Sequence, residues 1–151
     1  MPLTLVLSVG RDASLLETRS IVLHSAGYLV ESVFSLEEAF NRFLASDFDL
    51  VILCHSIPST ERERLTNLIR TCGSLTPVVS ISGCLGQWDS FANATIGEDP
   101  NTFLIAISSV LAKAAKIWTS SIIHLRNVSR ETFTPSFSSR ASAANVGAKS
   151  A

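Results

Sequence analysis

The side chains best able to do chemistry in this chain stand where apolar runs end. Phe48-Asp49-Leu50-Val51-Ile52-Leu53 leads into Cys54-His55-Ser56-Ile57-Pro58, which reads as a buried strand running out into a loop with a thiol at its start. Leu3-Thr4-Leu5-Val6-Leu7-Ser8-Val9 leads in the same way to Gly10-Arg11-Asp12, and Pro77-Val78-Val79-Ser80-Ile81 leads to Ser82-Gly83. If Arg11 lay beside Cys54, its charge would favour the thiolate and make a redox sensor. The plainer expectation is that Cys54 is an unreactive apolar filler, because free cysteines are commonly buried. His55 follows directly, but neighbours on a strand point to opposite faces, so no Cys-His pair is implied. Arg11 with Ser82 and nearby backbone N–H groups could hold a phosphate or an acidic ligand. A salt bridge or a solvated side chain is the plainer role for Arg11.

Several kinds of chemistry are missing from the pattern. The cysteines, Cys54, Cys72 and Cys84, are odd in number and form no C-x-x-C pair, which argues against a disulfide framework. His24, His55 and His124 are scattered, so no metal-ligand spacing is present and neither a metal nor another cofactor is expected. Val9-Gly10-Arg11-Asp12 lacks the glycines of a dinucleotide-binding turn. No acid-base pair or nucleophile-base set can be assembled, so enzymatic activity is not expected. A net charge of −1 gives no general attraction to nucleic acid or to an anionic membrane. Met1-Pro2-Leu3-Thr4 has no basic leader, and the apolar runs are shorter than a membrane span. The expectation is a cytoplasmic protein.

Positioning these residues requires a scaffold of alternating strands and helices. After the first strand, Leu15, Leu16, Val22, Leu23 and Ala26 recur at helical spacing, with Asp12 or Ser14 as the cap and Gly27 as the stop. Tyr28–Val33 is a second strand. Ser35 and Glu38 make a capping box for a helix with Leu36, Ala39, Phe40, Phe43 and Leu44 on its apolar stripe. Asp49–Leu53 is the third strand, apolar throughout as expected when both faces are covered. Thr60 and Glu63 suggest another capping box, ahead of Leu65, Leu68 and Ile69. Within that helix Glu61-Arg62-Glu63-Arg64 reads as a solvated face. Pro77–Ser82 and Phe91–Ile96 are the fourth and fifth strands. Asp99-Pro100 starts a last helix carrying Phe103, Leu104, Ile107, Val110, Leu111 and Ala114, ending between Trp118 and His124. Short connections imply parallel strands joined by right-handed crossovers, a doubly wound five-stranded α/β sheet of flavodoxin-like order 2-1-3-4-5. Its working crevice would lie at the carboxyl ends of the strands. Residues 1–124 form this domain. Residues 125–151, rich in Ser and Ala, are expected to be a disordered tail.

Three segments give the chain a resemblance to a known family. Phe48 to Pro58 is similar to the "fDLvilDxxmP" segment of bacterial response-regulator receiver domains. Ala26-Gly27-Tyr28-Leu29-Val30 followed by Phe34-Ser35-Leu36-Glu37-Glu38-Ala39 resembles the family's "aGyeV…as.eeAl". Thr76-Pro77-Val78-Val79-Ser80-Ile81-Ser82-Gly83 resembles "tPvi.ltA". The resemblance covers most of Leu3 to Ala115. It implies a phosphorylation switch: an aspartate that accepts the phosphoryl group, two acids holding magnesium, a hydroxyl and a lysine. Carried onto this chain, the acid pair falls at Gly10 and Arg11, the acceptor at Cys54, the hydroxyl at Ser82 and the lysine near Ile96. The resemblance therefore implies a degenerate pseudo-receiver, stand-alone, acting in two-component-like phosphorelay signalling through a protein partner and without normal Asp phosphorylation. The alternative is a small-ligand or redox sensor built on Arg11, Cys54 and Ser82. The family's fourth helix is expected to be shortened to a turn or two around Gln87 to Phe91, in the face that carries output in ordinary receivers. Trp88 and Phe91 lie in that face. Burial is the plain expectation for Trp88, and a partner anchor is the alternative. Dimers near the last helix are common in the family, which leaves a homodimer open.

Overall fold

The computed structural model describes residues 3–83 and 88–117 of the 151-residue chain. In chain order it holds β1 (Leu5–Val9), α1 (Ala13–Ser25), β2 (Leu29–Val33), α2 (Leu36–Ala45), β3 (Leu50–Leu53), α3 (Ser59–Thr71), β4 (Val78–Ile81) and β5 (Ala94–Ile96). Residues 100–117 are helical and are labelled α4 here. The strands form one parallel sheet of order β2-β1-β3-β4-β5. This is the expected flavodoxin-like arrangement.

Alternation along each strand sends side chains to two apolar layers. Leu7, Val9, Val51, Leu53 and Val78 pack with Ala39 and Phe43 of α2 and Leu65 and Ile69 of α3. Val6, Leu50, Ile52, Val79 and Ile81 pack with Leu23 of α1 and Phe103 and Ile107 of α4. Helices thus cover both faces, which is why the central strands are apolar at successive positions.

Local chemistry sets where the helices begin. Asp12, one of the two caps considered, starts α1 by accepting a hydrogen bond from the Leu15 N–H. Gly27 follows the end of α1 at φ +92°, a conformation that favours glycine. Ser35 caps α2 through the Glu38 N–H as expected. For α3 the expectation fails. The helix starts at Ser59, one residue after Pro58, and no side chain caps it; Thr60 lies inside its first turn. Proline supplies the pre-set φ of an entry position, so the nearby Thr/Glu pair is not needed.

The connection between β4 and β5 departs furthest from the sequence reading. Residues 88–93 pass through turns and bends, so 88–91 are not helical and β5 begins at Ala94 rather than Phe91. Residues 84–87 lie outside the described residues. In place of a long helix, two arginines on α3, eight residues apart, fasten this connection. Arg62, expected on a solvated face, is buried; its Nη1 reaches Ser80 Oγ at 2.8 Å and Asp89 Oδ2 at 2.8 Å. Ser80 also donates to Asp89 Oδ2. Arg70 donates to the carbonyls of Ser74 and Thr76 and to Asn93 Oδ1, and that same oxygen accepts from the Val78 N–H. Burial pulls the Arg70 pKa below the ordinary arginine value, though arginine keeps its charge throughout the working range. Phe91 packs half-buried against the α2/α3 layer. Trp88 is 72% exposed, which corrects the expectation of burial: the neighbouring Asp89 is drawn inward by Arg62, and the indole is left outside.

The chain separates into two units, Met1–Ala114 and Ala115–Ala151. The boundary expected at 124/125, the tail and the end of the last helix all lie outside the described residues. No helix among the described residues is long and apolar enough to cross a membrane.

Candidate functional site

Strand register brings the chemically interesting positions to one edge. Val9 pairs with Leu53, Leu53 with Ser80, and Ile81 with Ile96. One residue further on, Gly10, Cys54 and Ser82 continue the ladder by donating to the carbonyls of Val33, Val9 and Ile96. Gly10 and Cys54 therefore stand side by side at the carboxyl end of the sheet, and Ser82 follows one residue beyond the level of Cys54. Ile96 is buried in the α1/α4 layer and contributes no polar group there.

Cys54 is 1% exposed, and its Sγ accepts a hydrogen bond from Arg19 Nη1 at 2.6 Å. Arg19 projects from α1, with its side chain only 12% exposed. The thiol is thus buried as expected, but it is paired with a cation and is not simple apolar filler. The cation is not Arg11. The two side-chain oxygens of Glu61 accept from Arg11 Nη2 at 2.9 and 2.7 Å, and the Arg11 N–H donates to Ser56 Oγ. Arg11 is therefore committed to a salt bridge on α3, the plainer of its two expected roles.

Gly10 is fixed by crowding. A Cβ placed there would lie 2.9 Å from Cys54 Cβ and 3.1 Å from Leu16 Cδ2. Any side chain at position 10 would meet the wall made by the thiol-bearing strand and α1. Asp12, the remaining nearby acid, spends a carboxylate oxygen on the Leu15 N–H.

Two further residues complete the cluster. Glu98, in the loop after β5, brings Oε1 to 3.6 Å from Arg19 Nη2 and 3.0 Å from His55 Nδ1. The histidine contact is within ion-pair distance, but the ring nitrogen is enclosed and off-axis for a hydrogen bond. Sequence reasoning missed Arg19 and Glu98. Arg19 sits at a helical position in sequence far from Cys54, and no local signal marks it. Glu98 falls just before the Asp99-Pro100 helix start and reads as part of it.

Magnesium requires hard oxygen ligands, commonly carboxylates, arranged octahedrally. The residues that the resemblance puts at those places offer a glycine, a guanidinium and a sulfur. Among the described residues no group of three or more His, Cys, Asp or Glu is placed to hold a metal ion. The donor set does not fit magnesium. It suits an internally neutralised junction, in which one part-buried guanidinium from the middle of α1 joins the ends of β3 and β5.

No protein-family model and no curated protein matches the chain. Solved structures do match. The chemotaxis response regulator CheY4 of Vibrio cholerae is 21% identical, covering 72% of this chain and 99% of that one, with a TM-score of 0.64. The signal receiver domain of an HD domain-containing protein from Pseudomonas fluorescens Pf-5 is 15% identical over 76% of this chain and 99% of that one, with a TM-score of 0.67. A structure of the histidine kinase ThkA in complex with the response regulator TrrA matches at 19% identity, 72% and 99% coverage and a TM-score of 0.63. The chain has the fold of CheY-like response-regulator receiver domains.

Proposed function

We propose that this chain is a receiver-like signalling domain that works through protein–protein contacts, without catalysis and without taking a phosphoryl group. The observation that carries the reading is the Arg19–Cys54 pair at the end of β3, where the resemblance puts the phospho-acceptor. A thiol bonded to a part-buried guanidinium offers no carboxylate for phosphoryl transfer. The occupied places of Arg11 and Asp12 support the same reading. A signalling partner is supported by the fold and by the neighbouring structure that pairs a response regulator with a histidine kinase. The exposed Trp88 is a candidate anchor for such a partner, since exposed indoles are favoured at interfaces.

Incubation with acetyl phosphate and Mg²⁺, followed by intact mass, tests the proposal. The expected spectrum is unchanged, and a stoichiometric phosphoryl adduct on the domain would overturn it. The redox reading has less support, because Cys54 is only 1% exposed and so is shut away from an oxidant in solution.

A further inference from the structure

We propose that β2, an outer strand of the sheet, takes an added strand from a partner protein: an extended segment carrying a basic residue between two apolar ones. This stands apart from the phosphorylation reading, whose acetyl phosphate test does not bear on the β2 edge. β2 ends the order β2-β1-β3-β4-β5, so one side of it has no strand beside it. The Leu29 N–H donates to the Thr4 carbonyl and the Val33 carbonyl accepts from Gly10, which turns both residues towards β1. Backbone direction alternates along a strand, so Val30 and Ser32 turn their N–H and C=O groups outwards. Among the described residues nothing bonds these outward groups. Open edges are normally blunted by lysine, proline or a bulge. Leu29-Val30-Glu31-Ser32-Val33 has no lysine or proline, and its register with β1 runs unbroken from Leu5–Leu29 to Val9–Val33.

The side chains of this edge set which segment fits. Leu29 pairs with Leu5 and Val33 with Val9, so Leu29, Glu31 and Val33 point to the α2/α3 face, where Leu5 and Val9 pack. On the opposite face α1 packs over β2, whereas α2 packs over β1. The α2 side of β2 is thus left partly open: Leu29 is 43% exposed, and Phe34, just past the strand, 49%. Residues directly opposite across a strand pair interact, so an incoming strand gains from an apolar side chain beside Leu29 and a cation beside Glu31. The local charge favours the same partner. No lysine or arginine occurs between Arg19 and Arg42, a stretch that holds Glu31, Glu37 and Glu38. A second copy of this chain fits poorly. Antiparallel pairing of two β2 edges through Val30 and Ser32 sets Glu31 against Glu31 of the other copy, and like charges directly opposite destabilise. Strand addition draws its affinity from backbone bonds and its specificity from alternate side chains, and this edge offers both.

Titrating the ¹⁵N-labelled full chain with the synthetic peptide Thr-Val-Thr-Lys-Thr-Val-Thr tests the proposal. Saturable shifts are expected at the Val30 and Ser32 amides. With free peptide at about ten times its Kd, exchange of those two amides should slow about tenfold by mass action. The same peptide with glutamate in place of lysine should bind about fivefold more weakly, the upper scale of a cross-strand charge pair. Glu31→Lys should reverse that preference. Ser32→Pro removes one outward donor and leaves the bonds to β1, a place where an edge strand tolerates proline, and it should abolish binding. Three results would overturn the proposal: no saturable shift at Val30 and Ser32, equal binding of the two peptides, or protection of both amides before any peptide is added. The last would mean that a second copy or this chain's own residues already hold the edge.

Discussion

Arg62→Ala should lower the free energy of unfolding by about 3–5 kcal/mol, the usual cost of removing one partner from a buried ion pair. A domain of this kind has about 5–15 kcal/mol in total, so the variant would be close to unfolding. The loss is large because Asp89 would keep a buried charge, with the Ser80 hydroxyl left as its side-chain partner. The same reasoning says that the pair is not itself a large source of stability. Replacing both members with apolar residues of similar size, Arg62→Met with Asp89→Leu, should recover most of the loss. Urea denaturation of the single and double variants measures both effects. A single-variant loss below about 1 kcal/mol would mean that solvent reaches Asp89 and that the β4–β5 connection is held by other contacts.

Gly10→Asp should be the second most damaging change, and for a different reason. The added Cβ alone meets Cys54 Cβ at 2.9 Å and the Leu16 side chain at 3.1 Å. Overpacking of this kind costs about 1–3 kcal/mol, and burying a carboxylate at this site adds to it. Gly10→Ala isolates the crowding and should show that part by itself. Combining Gly10→Ala with Cys54→Gly removes the contacting Cβ and should return part of the stability. Thermal unfolding of the three variants separates the contributions. If Gly10→Asp were as stable as the wild type, an acid would fit at the end of β1, and the case against a carboxylate site would lose its steric half.

Much of the fold was legible because its signals are local. The apolar runs at Val6, Leu50 to Leu53 and Val78 to Ile81 each form a strand, and Ser35 and Gly27 mark helix ends by chemistry that needs no partner from elsewhere. Short connections implied parallel strands with right-handed crossovers, and the observed order is the flavodoxin-like form of such a doubly wound sheet. What escaped notice depends on contacts distant in sequence. Arg62 sits among alternating charges and looks solvated, yet Asp89 and Ser80 bring it inside. Trp88 is left outside because its neighbour is pulled in, which hydrophobicity by itself predicts in the wrong direction. At the candidate site, Gly10, Cys54 and Ser82 each follow the carboxyl end of a strand, where the apolar runs at β1, β3 and β4 stop. The pairing of Cys54 was not legible, because Arg19 is 35 residues away on a helix and competes in sequence with the nearer-looking Arg11.

The charge at this edge of the sheet is the claim on which the functional reading turns. A guanidinium lies against Cys54, in surroundings that a phosphoryl-transfer site would fill with carboxylates and a divalent cation. Titrating Mg²⁺ to millimolar levels while recording ¹H–¹⁵N correlation spectra tests this directly. The account predicts no saturable shift at the amides of Gly10, Arg11, Asp12, Cys54 and His55. A saturable shift confined to those amides would mean that the cation binds there, and the account would be contradicted.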